Sequence, residues 1–339
     1  MQDRDIKFDV LKAMGLLGII LAHVNPPTVL YQLRNFDVGL MVIASGALLS
    51  YTNPKKQPSY FNYLKKRIPR LIAPTWLFLA FYFAIFSLLG ENFTQKVILG
   101  NFGLTVGYVW IIRIFLIIAI FAPLILKINR ILTKTQFLAV LLGTYFIQEI
   151  TLGAIKHIPY FTYFINTYIV YIIPYCFFLG IGIILTKLSK KEVIVISIIS
   201  LIVFVATGIY LYLTLGEIKA SHSYKYPPQL YYVSYALGVS LLLYYVVDKF
   251  SDRIAGNKAL SKFFIFTGGN TLWIYLWHTF VLNCLKLAGI NLNFVVAFFV
   301  VVSSAIAITH IQRKIVGLSI KNWDITPSQT ELLKVLFLK

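Results

Sequence analysis

The chain has 339 residues, of which 59% are hydrophobic and only 13% charged, with a mean hydropathy of +0.79. Apolar runs of membrane-spanning length recur throughout, which excludes a soluble globular class and indicates a polytopic membrane protein. The formal net charge of +19 comes from 31 Lys and Arg against 12 Asp and Glu. These cations are divided among short segments between apolar runs rather than gathered on one domain, which argues against a nucleic-acid partner.

In chain order the runs predict ten spans, at about 8–25, 36–52, 71–89, 106–126, 136–153, 166–186, 193–215, 229–248, 264–285 and 293–313. The expected fold is an all-α integral membrane bundle of about ten transmembrane helices, with residues 1–314 as one membrane domain and 315–339 as a cytoplasmic tail. Ten spans put both termini on one side. The cations concentrate in the termini and in the loops between spans 2–3, 4–5, 6–7 and 8–9. The opposite loops hold only Arg34, Lys96, Lys156, Lys219, Lys225 and Lys286, so both termini are expected in the cytoplasm of a multi-pass cell-membrane protein. No signal-peptide cleavage site follows the first run, which is expected to stay as the insertion signal. Cys176 and Cys284 lie inside apolar runs and read as small buried hydrophobes, not as a disulfide framework or a metal site.

Charge inside lipid is costly unless paired or hydrated, so polar residues within the spans are where chemistry is to be sought. The first span, FDVLKAMGLLGIILAHV, carries Asp9, Lys12 and His23, which an anchor has no reason to keep. Lys12 and His23 are eleven positions apart, so they differ by only about 20° around the helix and share a face, separated by roughly 16 Å of rise. The 2–3 loop holds Lys55, Lys56, Lys65, Lys66, Arg67 and Arg70 ahead of Pro74. This exceeds what orientation needs, and Arg67 and Arg70 fall on one face, a geometry suited to gripping phosphates. In span 4, Trp110 and Arg113 share a face, and the arginine either snorkels or serves a site. In span 5, Tyr145, Gln148 and Glu149 form a polar stripe whose carboxylate is open to two readings, structural or orienting a histidine. The tyrosines Tyr168, Tyr171 and Tyr175 of span 6 read as an aromatic belt or as the lining of a substrate path.

In span 9, GGNTLWIYLWH sets Thr271, Tyr275 and His278 on one face, with His278 about 20 Å above the helix start, a depth close to that of His23. A single buried histidine is more often a packing residue. Two at matching depth, with a lysine in line, favour a hydrated internal site toward the outer leaflet. In the tail, Thr326 can cap, Pro327 suits the first helical position and Gln329 completes a capping box, predicting a short amphipathic helix along the cytoplasmic surface. No GxxxxGK[ST], HExxH or GxSxG pattern is present, so nucleotide hydrolysis, zinc proteolysis and elbow-serine hydrolysis find no support.

Taken together these residues resemble the acyltransferase 3 family of integral membrane O-acyltransferases. The matching features, in order, are D-x-x-K and K-x10-H (Asp9, Lys12, His23), Ser45-Gly46, R-x-x-R with a following proline (Arg67, Arg70, Pro74), Trp110, KYPPQLYYVSYALG and GGNTLWIYLWH. Lys12 stands where arginine is commoner, and Met41-Val42-Ile43-Ala44 replaces an aromatic pair. No extracytoplasmic esterase-like domain follows the last span, which removes one route for recognising an acceptor.

The resemblance implies transfer of an acyl group, most often acetyl, from acetyl-CoA or another acyl-CoA to a hydroxyl of a cell-surface polysaccharide or lipid-linked glycan, with no metal. A sugar hydroxyl is a poor nucleophile, so neutral His23 would be the general base, with a cation or second polar group stabilising the thioester oxyanion. Asp9, Lys12, Glu149 and His278 are the further catalytic candidates. Arg67, Arg70 and Lys12, with Trp110 and Arg113, are the candidates for holding the acyl-CoA, whose pantetheine arm is comparable with the roughly 16 Å from Lys12 to His23. Partners implied are acyl-CoA, a carbohydrate acceptor and the lipid bilayer, with a second copy of the chain or glycan-synthesis enzymes as further associates. The alternative is a polysaccharide or lipid-linked glycan transporter, although neither paired broken helices nor an internal repeat supports it. A scaffold in a glycan-synthesis complex is a third reading, which holds only if His23 and Arg67 are dispensable.

Overall fold

The computed structural model describes residues 5–53, 59–105, 107–155, 169–322 and 325–338. Lys55, Lys56, Lys156 and Tyr168 lie outside the described residues. Within them the regular elements are helices: α1 (Ile6–Ala22), α2 (Thr28–Leu33), α3 (Asp37–Thr52), α4 (Tyr60–Arg67), α5 (Pro69–Leu88), α6 (Gln95–Phe102), α7 (Trp110–Ile131), α8 (Lys134–Ile155), α9 (Ile172–Ile184), α10 (Lys190–Leu215), α11 (Leu230–Gly256), α12 (Lys258–Gly269), α13 (Thr271–Leu287), α14 (Phe294–Asn322) and α15 (Pro327–Leu333).

Among the described residues, seven helical stretches are long and apolar enough to cross a membrane: Thr28–Thr52, Tyr60–Leu88, Trp110–Ile131, Ile169–Lys187, Lys190–Leu215, Leu230–Gly256 and Phe294–Asn322. The residues of the other three expected spans fall in α1 and α13, of 17 residues each, and in α8, of 22 residues, which reaches the edge of the described residues; these helices are not among the seven. The span expected at 264–285 is not one helix. Its chain breaks at Asn270 (φ −123°, ψ 28°), separating α12 from α13 just after Gly268 and Gly269. The cation-rich loop before span 3 is also more ordered than expected, because α4 runs into α5 through Ile68, with Pro69 at the first helical position, where its missing N–H costs nothing.

α1 is the hub of the bundle. Asp5 caps its start by accepting from the Lys7 amide (3.0 Å), and it ends at His23, two residues before Asn25 (φ 52°) and the prolines Pro26 and Pro27. It packs against α3, α11, α12, α13 and α14. Two glycine contacts make this density possible. An added Cβ at Gly46 of α3 would meet the Leu179 carbonyl oxygen of α9 at 2.3 Å, and one at Gly182 would meet the Ile43 oxygen at 2.1 Å, so α3 and α9 cross backbone to backbone. A Cβ at Gly268 would meet the Asp9 oxygen at 2.2 Å, which seats the end of α12 against α1 one turn from Lys12.

By contrast α10 and α14 are peripheral. Their outward residues, among them Ile198, Ile202, Val205, Val295, Phe299 and Ile311, are exposed and apolar, as a lipid-facing surface requires.

Candidate active site

Along one face of α1, Lys12, Leu16, Ile19 and His23 recur at helical spacing, and each lines an internal space. Lys12, Leu16 and Ile19 line a cavity of about 510 Å³ that also holds Arg67, Arg70, Ser45 and the Asn270–Trp273 segment. His23 lines a smaller cavity of about 70 Å³. Ile19, Ile111 and Tyr275 line both, so the two spaces adjoin through these three side chains. The α1 stripe therefore runs from the arginine pair to the histidine. Lys12 Nζ sits 3.1 Å from Asp9 Oδ1, one turn back on the same helix, and Asp9 is buried.

The two histidines meet. His23 Nδ1 and His278 Nε2 are 2.9 Å apart. Their rings lie within 17° of parallel with centroids 5.1 Å apart. That separation exceeds the N···N distance by about a ring's width, so the rings meet edge to edge, as a ring N–H donating in its own plane requires. On its other side His278 Nδ1 bonds the Tyr275 carbonyl oxygen, one turn earlier in α13. A carbonyl only accepts, so His278 Nδ1 carries the hydrogen and, in the neutral ring, Nε2 accepts from His23 Nδ1–H. The proton-accepting nitrogen of His23 is then Nε2. His278 is fully buried, whereas His23 lines the small cavity.

The rest of that cavity is charged. Asp37, at the start of α3, takes Arg34 NH1 on Oδ2 at 2.7 Å and Lys225 Nζ on Oδ1 at 3.1 Å, with the Val38 amide also on Oδ1 at 2.7 Å. All three charged residues are buried. Arg34 stacks over the Tyr31 ring at 4.1 Å, and Lys225 faces the rings of Trp110, Tyr226 and Tyr232 at 6.0, 5.9 and 5.6 Å. Tyr31 Oη and His222 Nε2 share a hydrogen bond of 3.2 Å, and Asn35 donates to Ser221 Oγ at 2.9 Å. These contacts tie the α2 region to the segment around residues 221–226, and Arg34, Asp37 and Lys225 all line the cavity with His23.

The chain matches the acyltransferase 3 family, described as an acyltransferase domain, over residues 5–311. It belongs to that family. No curated protein and no solved structure matches it.

In this acyltransferase the expected site residues divide into two groups. Asp9, Lys12, His23, Arg67, Arg70 and His278 are brought together along the α1 stripe or in direct contact with it. Trp110 lies at the His23 cavity, edge-on to Tyr226, and does not line the cavity that holds Arg67 and Arg70. Glu149, expected as a carboxylate that could orient a histidine, accepts instead from Tyr145 Oη (3.2 Å) and from the Leu230 amide (3.1 Å). It thus satisfies an otherwise orphan donor at the start of α11. Arg113 is buried with its guanidinium 5.1 Å over the Tyr171 ring. Neither Glu149 nor Arg113 lines the two cavities.

The tail has the capping box expected at Thr326 and Gln329, but it then turns inward. Phe337 stacks on Trp273, its carbonyl accepts from Gln312 Nε2 (3.2 Å), and that of Leu338 accepts from Arg313 NH1 (2.8 Å). Leu338 lines the larger cavity beside Arg67 and Arg70.

Arg34, Asp37, Lys225 and His222 are the residues that sequence reasoning passed over. In the sequence Arg34 and Lys225 read only as loop cations. The available signals were Asp37 at the head of an apolar run and the lysine that opens KYPPQLYYVSYALG.

Proposed function

We propose that this acyltransferase takes an acyl group, most simply acetyl, from acyl-CoA on the cytosolic side and passes it to a hydroxyl of a cell-surface polysaccharide or lipid-linked glycan. The observation that carries this reading is the unbroken α1 stripe, with two arginines and a lysine at one end of adjoining cavities and a relayed histidine at the other. Arg67, Arg70 and Lys12 hold the phosphates and the entrance of the pantetheine arm. The arm extends past Leu16 and Ile19, over roughly 16 Å of helix rise, and delivers the thioester beside His23.

His23 Nε2 removes the proton of the acceptor hydroxyl as that oxygen attacks the thioester carbon. His278 positions it, accepting from Nδ1–H and so fixing both the tautomer and the ring plane. This is the job a carboxylate does in hydrolase triads, done here by a neutral acceptor. Collapse of the tetrahedral intermediate expels the thiolate, which takes the proton back from the imidazolium.

In this reading the protein crosses the cell membrane ten times with both termini in the cytoplasm. Tags at either terminus should react only from the cytosolic side, and labelling of a terminus on intact cells would overturn the orientation. The activity itself is tested with purified protein in lipid discs, acetyl-CoA and a surface-glycan extract. Glycan-dependent release of free thiol, with an acetyl increment on the glycan by mass spectrometry, is expected. A carrier would instead move labelled glycan across vesicles with no thiol released.

A further inference from the structure

We infer that Arg34 and Lys225 form the oxyanion-stabilising site of the reaction, holding an excess positive charge around Asp37 for the negative oxygen that develops on the thioester. The inference rests on the acyl-transfer reading above and deepens it by assigning a part of the chemistry to residues of the two loops.

Three observations carry it. The first is charge. Two buried cations share one buried carboxylate, so the cluster keeps a net positive charge of its own. A purely structural tie between the two segments would need one cation per carboxylate, and an extra buried charge is expensive where water is excluded. The second is donor capacity. Asp37 is occupied by Arg34, Lys225 and the Val38 amide, while Arg34 Nε is buried with no hydrogen-bond partner among the described residues. Lys225 has three N–H bonds and gives one to Asp37; its other neighbours are the faces of aromatic rings, which an incoming oxygen outcompetes. The third is location. The cluster and His23 line the same cavity of about 70 Å³. A preorganised charge facing the base is the arrangement acyl transfer needs.

The step balances as follows. The acceptor oxygen forms a bond to the thioester carbon as His23 Nε2 takes its proton. The carbonyl π pair moves onto oxygen, where Arg34 and Lys225 meet it. That pair then returns, the C–S bond breaks, and the thiolate leaves with the proton from His23.

The experiment measures acetyl-CoA-dependent thiol release by the reconstituted protein with the glycan extract. Lys225→Gln should lower kcat about 10²-fold, with the KM for acetyl-CoA changed less than twofold because the nucleotide is held at Arg67 and Arg70, and Lys225→Arg should recover at least tenfold of the loss. Unchanged kcat would overturn the inference, as would an effect confined to the KM of the glycan, which would make the cluster a binding site for an anionic acceptor. A second measurement uses only the unmodified protein and so survives any variant that fails to fold. A CoA thioether ending in a phosphonate at the carbonyl position should bind at least tenfold more tightly than the neutral acetonyl thioether, and equal or weaker binding would overturn the inference. Turnover in the unmodified protein with no effect of these changes removes this inference alone. Absence of both turnover and thioether binding removes the acyl-CoA reading with it.

Discussion

At the Arg67 end of the stripe the charges are accessible. Arg67 is exposed, Arg70 is half-buried, and both border a cavity of about 510 Å³. At the His23 end the charges are sealed, with Arg34, Asp37 and Lys225 each under 7% exposed around a space of about 70 Å³. The contrast separates two physical tasks. Hydrated cations on long side chains tolerate positional error, and they suit a flexible polyphosphate that must bind and leave. Buried, mutually bonded charges cannot reorganise at low cost, which suits groups that must meet a reacting atom at hydrogen-bond distance. Changes at the sealed end should therefore act on the rate of the chemical step, and changes at the open end on donor affinity.

The largest expected effect tests the sealed end. His23→Ala should lower kcat by at least ~10²-fold while leaving acetyl-CoA binding intact. His278→Ala should be milder, because His23 would keep its place at the cavity and lose only the group that fixes its tautomer. A His278→Ala loss larger than that of His23→Ala would mean that the base belongs to α13, and the relay would then run in the opposite direction.

The open end is tested next. Replacing both Arg67 and Arg70 by Ala should weaken acyl-CoA binding by roughly 1–3 kcal/mol per lost charged contact, measured by calorimetry, with kcat at saturating donor close to that of the parent. If kcat fell and affinity did not, the two ends would not be divided by task. Lys12 stands between them, paired with buried Asp9. Lys12→Arg should retain activity, since charge and reach survive, whereas Lys12→Ala leaves the Asp9 carboxylate without that cation and should not.

How much of this was legible in the sequence follows the same divide. The stripe was legible, because helical geometry alone puts Lys12 and His23 on one face, whereas the depth of His278 was counted along a span that breaks at Asn270, so the count did not establish its meeting with His23. The arginine pair was legible as a local cluster on one face. The sealed cluster was not. Arg34 and Asp37 form a local pair, but Lys225 joins them across 188 residues, and a loop lysine that folds back over a cavity reads like one left in water. The partners of Glu149 were hidden for a similar reason. A carboxylate within a span needs donors; one is Tyr145, a turn away in the same stripe, but the other is the backbone amide of Leu230, 81 residues away, which no side-chain pattern announces. The break at Asn270 was present in GGN, yet the apolar run continues through it, so hydropathy alone joined two helices into one span.

The smallest expected effect concerns the tail, which meets the open end. Phe337 lies on Trp273, and the last carbonyls accept from Gln312 and Arg313 of α14. Arg313 NH1 also donates to Asn270 Oδ1 at 2.6 Å, at the α12–α13 break, so the tail is tied to the segment that lines the cavity of about 510 Å³. Among the described residues, removing 337–339 would take away the Leu338 side chain that lines the cavity, the Phe337 ring on Trp273 and one acceptor each of Gln312 and Arg313, while Asn270 still accepts from Arg313. The expected outcome is a change of less than about tenfold in the KM for acetyl-CoA, of the order of one surface-accessible contact, with kcat unchanged and the unfolding temperature lowered by a few degrees. A tenfold or greater fall in kcat on this deletion would carry the influence of the open end through to the chemical step, and the division of tasks along α1 would have to be given up.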